Sequence, residues 1–154
     1  MNHIDSQPGG PACGPVPRNG TEKIRVHVVF TNPKSTRAAV RAAETYAGAL
    51  NTDFELIAPR LVPYPLPYTQ PPVRNEFTLG VLRDAIGSSE REWTARVCLC
   101  RDRVAGLTKV LAPRSIVVVG VSSRWWPLRD VLLVRALRAA GHHVIAVQAG
   151  DSGA

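Results

Sequence analysis

The sequence predicts an α/β domain: an open, doubly wound, five-stranded parallel sheet with helices on both faces and strand order 3-2-1-4-5. Three observations predict it. SIVVVG, from Ser115 to Gly120, is an apolar β-branched run with no alternation, as expected of a strand covered on both faces. Segments of strand type alternate along the chain with segments of helical spacing. The connections between them are short, which favours right-handed crossovers and parallel pairing.

The first 22 residues, MNHIDSQPGGPACGPVPRNGTE, are rich in Gly and Pro and poor in large apolar groups. They bury too little to offset their own ordering entropy, so a flexible tail is expected over 1–22, ahead of a domain over 23–149 and a short tail over 150–154. IRVHVVF, from Ile24 to Phe30, reads as the first strand. The segment after it places Ala39, Ala43, Tyr46, Ala47 and Leu50 at helical spacing. Asn32 followed by Pro33 suits an N-cap and first helical position, because Asn accepts from a free amide and Pro lacks the donor that would be orphaned there.

The second strand, Asp53 to Ala58, leads into PRLVPYPLPYTQPP, with six prolines in fourteen residues. Proline suits neither a helix interior nor a ladder, so an extended, polyproline-like connection is expected here. Phe77, Val81, Leu82 and Ile86, closed by Gly87, form a second helix, and Trp93 to Cys100 a third strand. Asp102 caps a short helix striped by Val104, Leu107, Val110 and Leu111 and ended by Pro113. The fourth strand is SIVVVG. Its helix carries Leu128, Val131, Leu132 and Leu137, ends at Gly141, and hands over to the fifth strand, His143 to Gln148.

A chain of 154 residues is large enough to bury a core without disulfides or a structural metal. Its net charge of +7 is uneven: residues 91–154 hold ten Arg and Lys against four acids, and residues 1–90 hold nine against eight. An anionic partner follows from long-range attraction, without a choice among nucleotide, nucleic acid and acidic protein. Sixteen of the nineteen cations are Arg, which fits planar phosphate recognition or simply a GC-rich genome. The three cysteines and the lack of an apolar leader in the first 22 residues predict a reducing, cytoplasmic setting. No segment reaches the roughly 18 to 20 apolar residues of a membrane span.

In this topology the carboxyl ends of strands one and four meet at the switch point, where open α/β sheets bind ligands. Strand one contributes Thr31, Asn32, Lys34 and Ser35; strand four contributes Gly120, Ser122, Ser123 and Arg124. Two helix N-termini, several hydroxyls and two cations there predict an anion or nucleotide pocket. The competing expectation is that the Ser, Thr and Asn side chains simply cap helices. Trp125 and Trp126 offer flat faces for stacking on a base or partner, or for stapling the fourth helix to the core.

Cys98 and Cys100 form CxC, which is neither a common zinc nor a common redox spacing, and both are expected as buried thiols. His142 and His143 read as turn residues. No GxSxG, Walker A loop or paired acids on a helix supplies a catalytic group, and no metal site is expected.

From about Ile24 to Gln148 the pattern resembles the universal stress protein family. VVFTNPKSTRAAVRAAETYAGAL is similar to that family's first strand and helix, and SIVVVG with the following helix and HVIAVQ is similar to its ending. The Arg-Trp-Trp run is similar to the loop of the stress-protein-like domain in potassium-sensing histidine kinases. The resemblance implies the five-stranded parallel fold, a nucleotide such as ATP at the switch point, and a homodimer paired through the last strand.

Two departures qualify what it implies. Nucleotide-binding members carry Asp where this chain has Thr31, and a G-x2-G-x9-G-(S/T) loop of which only Gly120 is kept; Ser123, Leu133 and Val134 stand at the other positions. Those side chains crowd the backbone approach that glycines permit. The expectation is therefore a non-catalytic regulatory module acting through a protein partner or an anionic metabolite. A nucleotide-binding protein with at most slow hydrolysis is the alternative. Nucleic-acid binding through the basic C-terminal half ranks last.

Overall fold

The computed structural model describes residues 3–5, 24–69, 74–89, 91–121 and 128–149, with residues 3–5, 75, 128 and 129 described in backbone only. The order is β1 (His3–Asp5), β2 (Val26–Val29), α1 (Pro33–Leu50), β3 (Phe54–Leu61), α2 (Asn75–Ile86), β4 (Trp93–Cys100), α3 (Arg103–Val110), β5 (Ile116–Val121), α4 (Leu128–Ala139) and β6 (His143–Gln148). The five expected strands form an all-parallel sheet in the expected order, here β4-β3-β2-β5-β6. A sixth strand not anticipated from the sequence, β1, pairs parallel with Thr94 to Arg96 at the β4 edge.

Helix α1 begins as its sequence predicts. Asn32 is extended, its side chain accepts from Ser35 N at 2.9 Å, and Pro33 fills the first turn where no donor is needed. The helix stops at Asn51, which is left-handed at φ 49° and turns its N–H back to Ala47 O and Gly48 O. Helix α3 is capped by Asp102, which accepts from Ala105 N at 2.7 Å.

Two cores sandwich the sheet, because successive strand residues face opposite sides. Val26, Val28, Leu56, Trp93 and Ala95 join Ala39, Ala43 and Leu82 under α1 and α2. Val29, Ile57, Val117 and Val119 join Leu107, Leu133 and Leu137 under α3 and α4. Among the described residues no helix is long and apolar enough to cross a membrane.

The proline-rich connection departs from its expectation in two ways. Strand β3 runs three residues further than predicted, through Pro59 to Leu61, paired with Cys98 to Cys100. The reason is positional: β2 ends at Val29, opposite Ile57, whose carbonyl accepts from Phe30 N. Pro59, two residues on, turns its missing donor to that same side, beyond the end of β2, so no ladder bond is lost. After Val62 the chain turns instead of extending: Leu66 N donates to Pro63 O at 2.9 Å around a cis Tyr64–Pro65 bond. The thiol expectation also changes, since Cys98 is disulfide-bonded; Cys100 is free and buried, and burial raises its pKa.

Candidate functional site

The carboxyl ends of β2 and β5 lie side by side, as the switch-point expectation requires. Of the predicted site residues, the structure brings together Thr31, Asn32, Ser35 and Gly120, with Lys34 exposed at the rim. Ser122, Ser123, Arg124, Trp125 and Trp126 lie outside the described residues.

The polar groups that are described serve one another. Thr31 Oγ1 donates to Gly120 O at 2.7 Å, and Thr31 N donates to Thr36 Oγ1 at 3.2 Å. Asn32 caps α1 with its side chain and accepts Thr36 N with its carbonyl at 2.9 Å. Ser35 is buried against Gly120, so closely that a Cβ on residue 120 would stand 2.0 Å from Ser35 O. A side chain at position 120 is accordingly excluded by the first turn of α1. The same residue types that predict an anion pocket here build a strand-to-helix junction.

Further along the same edge the sheet presents cations and rings. Arg101, just beyond β4, donates from Nη1 to Val62 O at 2.7 Å and lays its guanidinium 4.6 Å from the Tyr68 ring centroid and 5.7 Å from that of Tyr64. Arg60 stands 6.0 Å from the Phe30 ring centroid. Tyr64 is 88% exposed, and Leu61 and Leu66 beside it are exposed too. Lys34, Arg60 and Arg101 make no ion pair among the described residues. The union of Arg101 with Tyr64 and Tyr68 is not legible from the sequence, because it depends on the turn at Pro63–Leu66.

A second polar group sits at the opposite end of the sheet, on the α3 and α4 face. His27 on β2 is fully buried, with Nδ1 3.1 Å from Glu55 Oε2 on β3; Arg96 on β4 reaches Glu55 Oε1 at 2.8 Å. The Arg96 guanidinium meets the Glu55 carboxylate as an ion pair, with the His27 ring on the other carboxylate oxygen. Burial pushes the Glu55 pKa up, but contact with His27 and its charge, with Arg96 and Arg25 beyond, outweighs that and leaves it below the ordinary carboxylate value. Nearby, His142 Nδ1 stands 3.2 Å from Ser115 Oγ, both residues buried. Burial first, and the charge of His27 second, lower the His142 pKa. His142 is thus not the simple turn residue its neighbours suggest. The sequence signal for this row is a lone His inside IRVHVVF, a polar residue in an otherwise unbroken buried strand.

A groove of about 290 Å³ between α1 and α2 is lined by Arg37, Arg41, Glu44 and Asp84. Its groups also serve the fold: Arg37 donates to Asp84 O at 3.4 Å, and Glu44 accepts from Ser89 Oγ. Among the described residues no three His, Cys, Asp or Glu side chains are placed to hold a metal ion.

No protein-family profile matches the chain, and no curated protein matches it in sequence.

Proposed function

We propose that the chain is a regulatory module of the universal stress protein kind, non-catalytic, acting through a protein partner or a bound anionic metabolite. The observation that supports it best is the exposed group of Lys34, Arg101 and Tyr64 at the carboxyl end of the sheet, beside a junction whose described polar groups, Thr31, Asn32 and Ser35, are engaged with Gly120 and the first turn of α1. Cations that make no ion pair among the described residues, next to exposed rings, favour an acidic partner at that edge. The homodimer reading rests on β6, which has β5 on one side and no strand on the other among the described residues, and on exposed Leu132 in α4.

A thermal-shift screen against ATP, AMP, cyclic dinucleotides and inorganic phosphate tests the reading, because a ligand at 100 times its Kd stabilises by about 2.7 kcal/mol. The expected result is no ATP-selective shift. A saturable ATP shift that Lys34→Ala or Arg124→Ala abolishes would replace this reading with the nucleotide-binding one.

A further inference from the structure

The amino end of the sheet carries polar chemistry that nothing at the carboxyl end uses. Along one face the side chains run Arg96, Glu55, His27, Ser115 and His142, from β4 across β3, β2 and β5 to the start of β6. They share that face without sharing one register line: His27 lies opposite Glu55, Arg96 lies opposite Ile57 and reaches Glu55 diagonally, and Ser115, two residues before the Val117 that lies opposite His27, is set beside His142 by the pairing of Ile116 with His143. Two imidazoles in one buried row are unusual, since His is the side chain whose charge changes near neutral pH.

The two are not equivalent. His27 faces a carboxylate, Glu55, itself tied to Arg96. His27 thus has a carboxylate in direct contact. His142 faces only the neutral Ser115 hydroxyl. Among the described residues the charged groups near it are His27 on β2, Arg114 next to Ser115, Arg25, whose carbonyl accepts from Ile116 N, Arg138 on α4, whose Nη2 donates to Val144 O at 3.2 Å, and exposed His143 on β6, with Glu55 already engaged by His27 and Arg96. A proton on His142 in the closed structure is an unbalanced buried cation, which is costly.

His142 also stands where the fold has least to hold it. It immediately precedes β6, which among the described residues has a single sheet neighbour, β5, and the corner hangs on bonds from His142 N to Leu137 O at 3.2 Å and from His143 N to Ser115 O at 3.1 Å. His27 and Glu55 lie on central strands, each flanked on both sides. Relief of a charge on His142 therefore comes by opening the corner and not the centre. We infer that His142, set against Ser115 and His27 at the start of β6, is an acid-sensitive latch whose protonation releases the β6 edge from β5 while the central strands stay closed. The inference does not depend on the ligand proposed above, and it takes β6 as the edge of a single chain, not covered by a second copy.

Hydrogen exchange followed by mass spectrometry at pH 7.5 and 5.5, corrected for intrinsic rates, tests it on the full chain. With a pKa near 6.5 in the open state and no proton taken up in the closed one, opening rises up to about tenfold between those two values. The expected result is that rise in peptides covering 140–149, with little change over 26–29 and 54–58, and its loss in His142→Gln, which keeps a polar group for Ser115 but does not titrate. A rise that persists in His142→Gln, or one equal across the sheet, overturns the latch. Should His142→Gln fail to fold, NMR titration of the wild-type imidazoles decides. His142 must titrate below the ordinary histidine value and move up in His27→Gln; an ordinary or raised value overturns the latch.

Discussion

A Cβ on residue 120 would stand 2.0 Å from the carbonyl oxygen of Ser35 and 2.4 Å from its carbonyl carbon, so Gly120 and the first turn of α1 meet backbone to backbone. The group met is main chain, which cannot swing aside. Gly120→Ala is therefore expected to cost about 3 kcal/mol by forcing α1 off β5. Urea unfolding measures it, and a loss under 1 kcal/mol would show that the contact is not tight.

Thr31 separates the structural from the ligand-binding account of this junction. Its hydroxyl is expected to act for the fold, by satisfying Gly120 O. Thr31→Val then destabilises by about 1–2 kcal/mol, because a part-buried carbonyl loses its donor. Thr31→Ser recovers most of that. A Thr31→Val protein of unchanged stability would return the hydroxyl to the candidates for ligand binding.

What was legible in the sequence was whatever local patterning dictates. Asn32 with Pro33, the glycine ends at Gly87 and Gly141, and the unbroken SIVVVG run each specify their element from a few neighbours, and the parallel pairing follows from the short connections. What was not legible depended on distant neighbours. Pro59 belongs to a strand only because β2 stops opposite Ile57. His3–Asp5 carries no strand signal and pairs because the β4 edge is there to receive it. The switch point shows the same limit. Ser, Thr and Asn at a helix start serve an anion or the helix itself, and the sequence does not show that Thr31 bonds Gly120 O or that Asn32 accepts from Ser35 N.

Acid should weaken the fold through Glu55 as well as through His142, in a lower window. The Glu55 pKa is depressed in the folded chain, so the unfolded chain binds the extra proton. Its stabilising contribution is present above the unfolded value of 4.5 and is lost as pH falls through the folded value. Glu55→Gln should lower stability at pH 7 by about 2 kcal/mol, since His27 and Arg96 lose a buried charge partner. It should also flatten the slope of stability against pH below 4.5. A slope unchanged in Glu55→Gln would place the acid response elsewhere.

Gly106 on α3 presents the opposite case to Gly120, because what its Cβ would meet is a side chain: Cys100 Cβ at 2.6 Å and Sγ at 3.1 Å. Gly106→Ala should cost about 2 kcal/mol by overpacking. Cys100→Gly is destabilising on its own, but it removes the atoms that clash. The double variant should thus be more stable than the sum of the single effects by at least about 1 kcal/mol. Additive losses in unfolding experiments would mean that α3 shifts as a body instead of pressing on Cys100.

Arg101 offers a way to tell whether the carboxyl-end rim is a built surface or a loose one. Its bond to Val62 O fixes one end of the guanidinium, and the Tyr68 face fixes its plane, whereas Tyr64 lies further off and is almost wholly exposed. A stacked cation contributes about 0.5–1 kcal/mol at a surface. Arg101→Ala and Tyr68→Ala should each lower Tm by a few degrees, at about 2–4 °C per kcal/mol for a chain of this size. Combined, they should show a coupling of about 0.5 kcal/mol or more. Arg101→Lys keeps the charge but not the plane, so it should resemble Arg101→Ala in stability. Tyr64→Ala should not couple to Arg101, which leaves that ring free for an incoming group. Coupling of Arg101 to Tyr64 as strong as to Tyr68 would instead mean that Tyr64 is engaged by the fold and is not on offer to a partner.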